Sequence, residues 1–154
     1  MGQSSIRVRR ILVPIDFSQH ADPVIDWAAH LAEEHDSEIV LLHAYHVPVE
    51  FQQAEGAYLP ADFWTAVKEE ARQSLAQYGE RLRARGLSVE EVTREGYPAT
   101  VIEDEVDRQH ADLVVIGSHG RTGLRHLLLG SIAERVVQRV RCPVLTVKHP
   151  DAPA

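Results

Sequence analysis

The sequence predicts an α/β fold in which a parallel sheet carries helices on both faces, and three observations lead there. Short, branched, apolar runs recur along the chain, amphipathic helical patterns separate them, and no apolar stretch approaches the ~18 residues of a membrane-spanning helix. A strand that is apolar on both sides suits a sheet covered on both faces, and parallel neighbours need a crossover, usually a helix. The 154 residues are 44% hydrophobic and 25% charged with few aromatics, the composition of one folded domain with a packed core.

Taken in order, Arg9 to Ile15 (RRILVPI) reads as the first strand, followed by Asp16, Phe17 and Ser18, with Ser18 as the expected helix N-cap. Val24, Trp27, Ala28, Leu31 and Ala32 form the stripe of the first helix, which ends near His35 and Asp36. Glu38 to Tyr45 (EIVLLHAY) is the second buried strand. Val47 to Pro60 carries two prolines and a glycine with no clean period and is expected to be a long, mobile loop. The next helix runs from about Ala61 to Arg85, with Val67, Ala71, Leu75, Tyr78 and Leu82 on one face and Gly86 as its stop. Ser88 to Glu95 alternates like a half-exposed strand, and Gly96 and Pro98 open a short helix over Val101, Ile102 and Val106. Asp112 to Ile116 (DLVVI) is the clearest strand and runs straight into Gly117. Ile132, Val136, Val137 and Val140 stripe the last helix, and Val144 to Val147 is the last strand.

Composition narrows the function. One cysteine forms no internal disulfide, so a reducing, cytoplasmic setting is expected, and Cys142 before Pro143 reads as a small apolar filler. The opening MGQSSIRVRR lacks the apolar stretch of a secretory signal, and Ile6 stands where a myristoylation motif needs Ser or Thr. A net charge of −7 has the wrong sign for a general nucleic-acid binder. Between Gly117 and Arg141, however, five arginines face one glutamate, and an anion would be drawn to that stretch.

The segment Gly117 to Ser131 (GSHGRTGLRHLLLGS) joins the most apolar strand to a helix and holds four glycines, each costly to order. Gly117 and Gly120 are expected to turn at positive φ and bring backbone N–H groups toward a ligand. Gly130 and Ser131 stand where a helix begins, so amides, a hydroxyl and the positive end of the helix dipole converge as a phosphate requires. The segment is neither a Walker A loop nor a G-x-G-x-x-G loop after the first strand. Asp16, at the end of the first strand, suits either a local backbone cap or a ribose hydroxyl or Mg²⁺. His43 and His46, three apart on a strand, are expected on opposite faces and not on one metal.

G-x2-G-x9-G-[ST] after the fourth strand, with VPIDFS closing the first and CPVLTVK as the last, resembles the universal stress protein family, and the likeness runs from about Arg9 to Lys148. The resemblance implies a five-stranded parallel sheet of order 3-2-1-4-5, a Rossmann-like adenine-nucleotide fold, and the ATP-binding branch of the family. It implies that Pro14, Ile15 and Asp16 meet the adenosine, with the Asp16 carboxylate near the ribose or a metal, and that Ala44 lines the adenine pocket. Gly117, Gly120, Gly130, Ser131 and the N–H of Ile132 would hold the phosphates, with His119 and Arg121 on the same loop. The chain is then one domain over residues 1–154, with a core of about 9–148 and flexible tails at 1–8 and 149–154.

The expected function is an ATP-binding stress-response protein, a nucleotide-dependent sensor or adaptor with at most slow hydrolysis and no dedicated catalytic apparatus. ATP, ADP or AMP with Mg²⁺ would be its ligand. Two rivals are an ATP-cleaving enzyme of the related adenylating folds, which carry a glycine-rich loop or a His-containing motif straight after the first strand, where this chain has DFSQHAD with no glycine, and a nucleotide-free dimerisation module. The implied strand order leaves Val144, Leu145 and Val147 on an apolar sheet edge, so a homodimer through the last strand is expected.

Overall fold

The structure, a computed structural model, describes residues 6–46, 61–119 and 129–149. The expected loop Val47 to Pro60, both Gly120 and Arg121, and most of the two tails lie outside the described residues. Five strands, β1 (Arg10–Pro14), β2 (Glu38–Tyr45), β3 (Val89–Glu95), β4 (Leu113–Gly117) and β5 (Val144–Val147), form one parallel sheet of order β3-β2-β1-β4-β5. The helices described are α1 (Ala21–His35), α2 (Ala61–Ala84), α3 (Pro98–Gln109) and α4 (Ser131–Arg139).

Alternation along the strands divides the core into two layers. Ile11, Val13, Ile39, Leu41 and Val115 face one way and pack with Val24, Ile25, Ala28, Leu75 and Leu82 of α1 and α2. Leu12, Val40, Leu42, Val114 and Ile116 face the other way and meet Val101, Ile102, Val106 and Val136 of α3 and α4. The central residues of β1, β2 and β4 therefore bury branched side chains whichever way they point, which is why those runs are apolar throughout.

Three details differ from the sequence reading. β1 starts at Arg10 and β4 at Leu113 because the Asp112 carboxylate accepts the amides of Arg9 and Arg10 at 2.8 and 3.1 Å, tying off the ladder there. Trp27 is 51% exposed and Val137 46% exposed: the buried face of α1 is formed by Ala21, Val24, Ile25, Ala28, Ala29 and Ala32, and that of α4 by Ala133 and Val136. Ser18 does not cap α1: the N-cap is His20, without a side-chain bond, and the Ser18 hydroxyl accepts the His20 amide within the preceding turn. Gly86 holds the left-handed φ of +83° expected of a helix stop, and burial pushes the Cys142 thiol up, as its filler role requires.

Candidate functional site

Sheet order and connection direction fix where a ligand can sit. The chain leaves β1 toward β2 on one side and returns through β4 on the other, so the carboxyl ends of β1 and β4 diverge into a crevice. That crevice is open in two connected parts. The inner part, about 100 Å³, is walled by Pro14, Ile15, Val24, Leu42, Ile102 and Ile116, with Asp16, His20 and His119 as its polar groups. The outer part, about 660 Å³, runs past Phe17, His43, Tyr45, His46 and Glu70 to Gly130 and Ser131. Asp16, Ala44, Pro98 and Ile132 border both, so the two are one groove, and the larger part alone falls within the ~300–1,000 Å³ usual for small-molecule sites.

The nine sequence-predicted residues that the structure describes all line this groove. Pro14, Ile15, Asp16, Gly117 and His119 come from the ends of β1 and β4, Ala44 from the end of β2, and Gly130, Ser131 and Ile132 from the start of α4. Gly120 and Arg121 are the two outside the described residues.

Local chemistry explains each position. Asp16 Oδ1 accepts the Ser18 amide at 3.0 Å, and the Ala21 amide donates to the Ser18 carbonyl at 3.0 Å, so the turn before α1 consumes its own donors. At α4 the N-cap Gly130 offers no side chain, which leaves the first-turn amides without an intrahelical partner and the positive dipole end at the groove. The Gly130 amide donates to the Ser118 carbonyl at 2.6 Å and Ser118 donates to the Val147 carbonyl at 2.8 Å, which ties both ends of the glycine-rich segment to the sheet. Ser118 Oγ and His119 Nδ1 share a hydrogen bond at 3.1 Å.

The expected positive φ does not occur at Gly117, which ends β4 and where an added Cβ would meet the His119 carbonyl and Val24 at ordinary distances of 3.4 and 3.5 Å. Gly130 is likewise extended, at φ −68° and ψ 159°. Among the described residues lining the groove, Phe17 stands at positive φ, +58°. Its ring stacks on His43 with centroids 4.2 Å apart and on Tyr78 at 6.3 Å, and burial, aided by Asp22, pushes the Tyr78 hydroxyl above its ordinary value. The sequence reading missed Phe17 and His43 as parts of the site. The signal for His43 was its parity with Ile39 and Leu41, which puts it on the α1 and α2 face beside the end of β1.

His43 and His46 both border the outer part, and no group of three His, Cys, Asp or Glu side chains able to hold a metal occurs among the described residues. No described helix is long and apolar enough to cross a membrane.

The family model described as the universal stress protein family matches residues 7–148. The chain belongs to the universal stress protein family. Among its relatives, universal stress protein MJ0531 of Methanocaldococcus jannaschii is 34% identical over 144 residues, spanning 92% of this chain and 83% of that one. The solved structure of MJ0577, from the same organism, superposes with a TM-score of 0.83 at 27% identity, over 95% of this chain and 99% of the other. A universal stress protein from Archaeoglobus fulgidus, solved in complex with dAMP, shares the fold with a TM-score of 0.66 at 24% identity, over 91% and 98% of the two chains. The five-stranded order and the Rossmann-like architecture are those of the family.

Proposed function

We propose that this universal stress protein binds an adenine nucleotide in the groove at the carboxyl ends of β1 and β4 and acts as a nucleotide-dependent sensor or adaptor in the stress response. The observation that carries the reading is convergence: residues 14–16, 44, 117, 119 and 130–132 lie far apart in sequence and line one groove. The apolar walls around Ala44 and Pro98 suit a base and ribose, Asp16 suits the ribose hydroxyls, and the α4 amides with the Ser131 hydroxyl suit phosphates. Mg²⁺ fits this donor set, because it binds through one carboxylate and phosphate oxygens and keeps waters, which asks of the protein only Asp16.

Slow hydrolysis at most is consistent with the lining. Phosphoryl transfer wants concentrated positive charge and a group that orients the attacking water, whereas no lysine lines the described groove and His119 is engaged by Ser118. The adenylating alternative is disfavoured by the turn at residues 16–21, which holds no glycine and in which the amides of Ser18, His20 and Ala21 are already engaged by Asp16 and Ser18. A homodimer through β5 and a cytoplasmic location complete the proposal. β5 pairs with β4 on one side only, and Val144 and Leu145 are half-buried there.

Isothermal titration of purified protein with Mg-ATP, Mg-ADP and Mg-AMP tests the reading, and mass analysis of the denatured supernatant detects nucleotide carried through purification. No heat with any of the three, and no nucleotide mass, would overturn it.

A further inference from the structure

We infer that His43 is a positioning residue that sets the ribose specificity of the groove by gripping the chain on both sides of Asp16. His43 was not among the residues that the sequence pointed to. Its Nδ1 lies 2.7 Å from the Ile15 carbonyl, and because a carbonyl only accepts, Nδ1 carries the proton and donates. Its ring also stacks on Phe17, at 4.2 Å between centroids and 28° between planes. One side chain from β2 thus holds the residue before Asp16 by a hydrogen bond and the residue after it by its ring.

That grip is needed because the turn is strained. Phe17 adopts φ +58°, a conformation that a bulky side chain rarely takes and that persists only where its surroundings enforce it. The Ile15 amide is fixed by the Leu42 carbonyl at 2.8 Å and Asp16 Oδ1 by the Ser18 amide at 3.0 Å. Leu42 and His43 are consecutive on β2, so the end of that strand fixes residues 15 and 17, and Asp16 between them borders both parts of the groove. Freed from His43, the turn relaxes toward negative φ at Phe17 and carries Asp16 away from that place. His43 reaches the ligand through Asp16, and its loss changes which sugar is preferred more than whether the base and phosphates are held.

This inference rests on the nucleotide reading and deepens it, and one titration series separates the two. Affinities of wild type, Asp16→Asn, His43→Leu and His43→Asn are measured for Mg-ATP and for Mg-2′,3′-dideoxy-ATP, which lacks both ribose hydroxyls. Wild type is expected to prefer ATP by roughly 10- to 100-fold, the range of one hydrogen bond to a charged group. In His43→Leu, which keeps bulk but loses the donor and the aromatic face, the preference falls to about the Asp16→Asn level while the dideoxy affinity stays within about threefold of wild type. His43→Asn restores a donor to the Ile15 carbonyl and recovers part of the preference, and it serves as the test if the leucine variant fails to fold. Failure of wild type to bind either nucleotide overturns the nucleotide reading itself. Binding with an unchanged preference in His43→Leu and His43→Asn, or with equal loss for both nucleotides, overturns the role of His43 and leaves that reading standing.

Discussion

The amide of Gly130 donates to the carbonyl of Ser118 at 2.6 Å, so the two ends of the glycine-rich segment are joined at the mouth of the groove. Because Gly130 is extended, at φ −68°, a branched residue is allowed there without backbone strain, and Gly130→Val should still fold, losing at most about 1 kcal/mol for the poorer N-cap. Its methyl groups would stand where the first α4 amides meet a phosphate. Ligand at ~100 times its dissociation constant adds ~2.7 kcal/mol, a midpoint rise of roughly 5 to 10 °C for a domain of this size. Thermal scans with millimolar Mg-ATP should show that rise in wild type, none in Gly130→Val, and a reduced rise in Ser131→Ala, which loses one hydroxyl contact. An equal rise in all three would remove the segment from the nucleotide site.

Glu105, fully buried on α3, accepts hydrogen bonds from Arg94 at 2.7 Å and Arg108 at 2.9 Å. Burial pushes its carboxyl up, and the two guanidinium groups with Gln109 outweigh that and hold it below the ordinary glutamate value. A depressed folded-state value means that the stabilisation is complete above the unfolded value, ~4.3, and is lost as pH falls through the lower folded one. Glu105→Gln should cost about 2 kcal/mol in urea titrations at pH 7 and flatten the stability profile between pH 5 and 3 relative to wild type, where ordinary glutamates titrate. A parallel profile would show that the pair contributes nothing.

Gly86 stands at φ +83° with nothing within 4 Å of where a Cβ would point. Gly86→Ala therefore isolates the backbone cost of a left-handed helix stop, about 1 kcal/mol, and equilibrium unfolding should register that and no loss of nucleotide affinity. At Gly96 both terms act, since its φ is +142° and a Cβ would come within 2.9 Å of the Val101 side chain, so Gly96→Ala should cost more.

Sedimentation tests the β5 edge. A β5-paired homodimer should sediment as such at micromolar concentration, and Leu145→Lys should convert it to monomer, since a charge on an open strand edge opposes pairing. A monomeric wild type, or a dimer indifferent to Leu145→Lys, would reject that interface.

The sequence by itself determined the element order and both layers of the core, because an apolar run that buries both faces and a stripe at helical spacing each report their own environment locally. Position at a strand end or helix start pointed to Asp16, Gly117, Gly130 and Ser131, and the family resemblance added Pro14, Ile15, Ala44, His119 and Ile132. Only the tertiary structure decided what lies between elements. Ser18 does not cap α1 because the helix starts after His20 and the Ser18 hydroxyl accepts the His20 amide within the preceding turn, and Gly117 proved extended because β4 runs through it to pair with Val147. Trp27 and Val137 turned outward because the adjacent Ala28 and Val136 take the buried positions of their helices. His43 and Phe17 became neighbours because β1 and β2 pair in parallel register, with Pro14 opposite Leu42, which brings the turn after one strand onto the last residues of the next. That pairing joins residues more than two dozen positions apart, a relationship to which periodicity along the chain is blind.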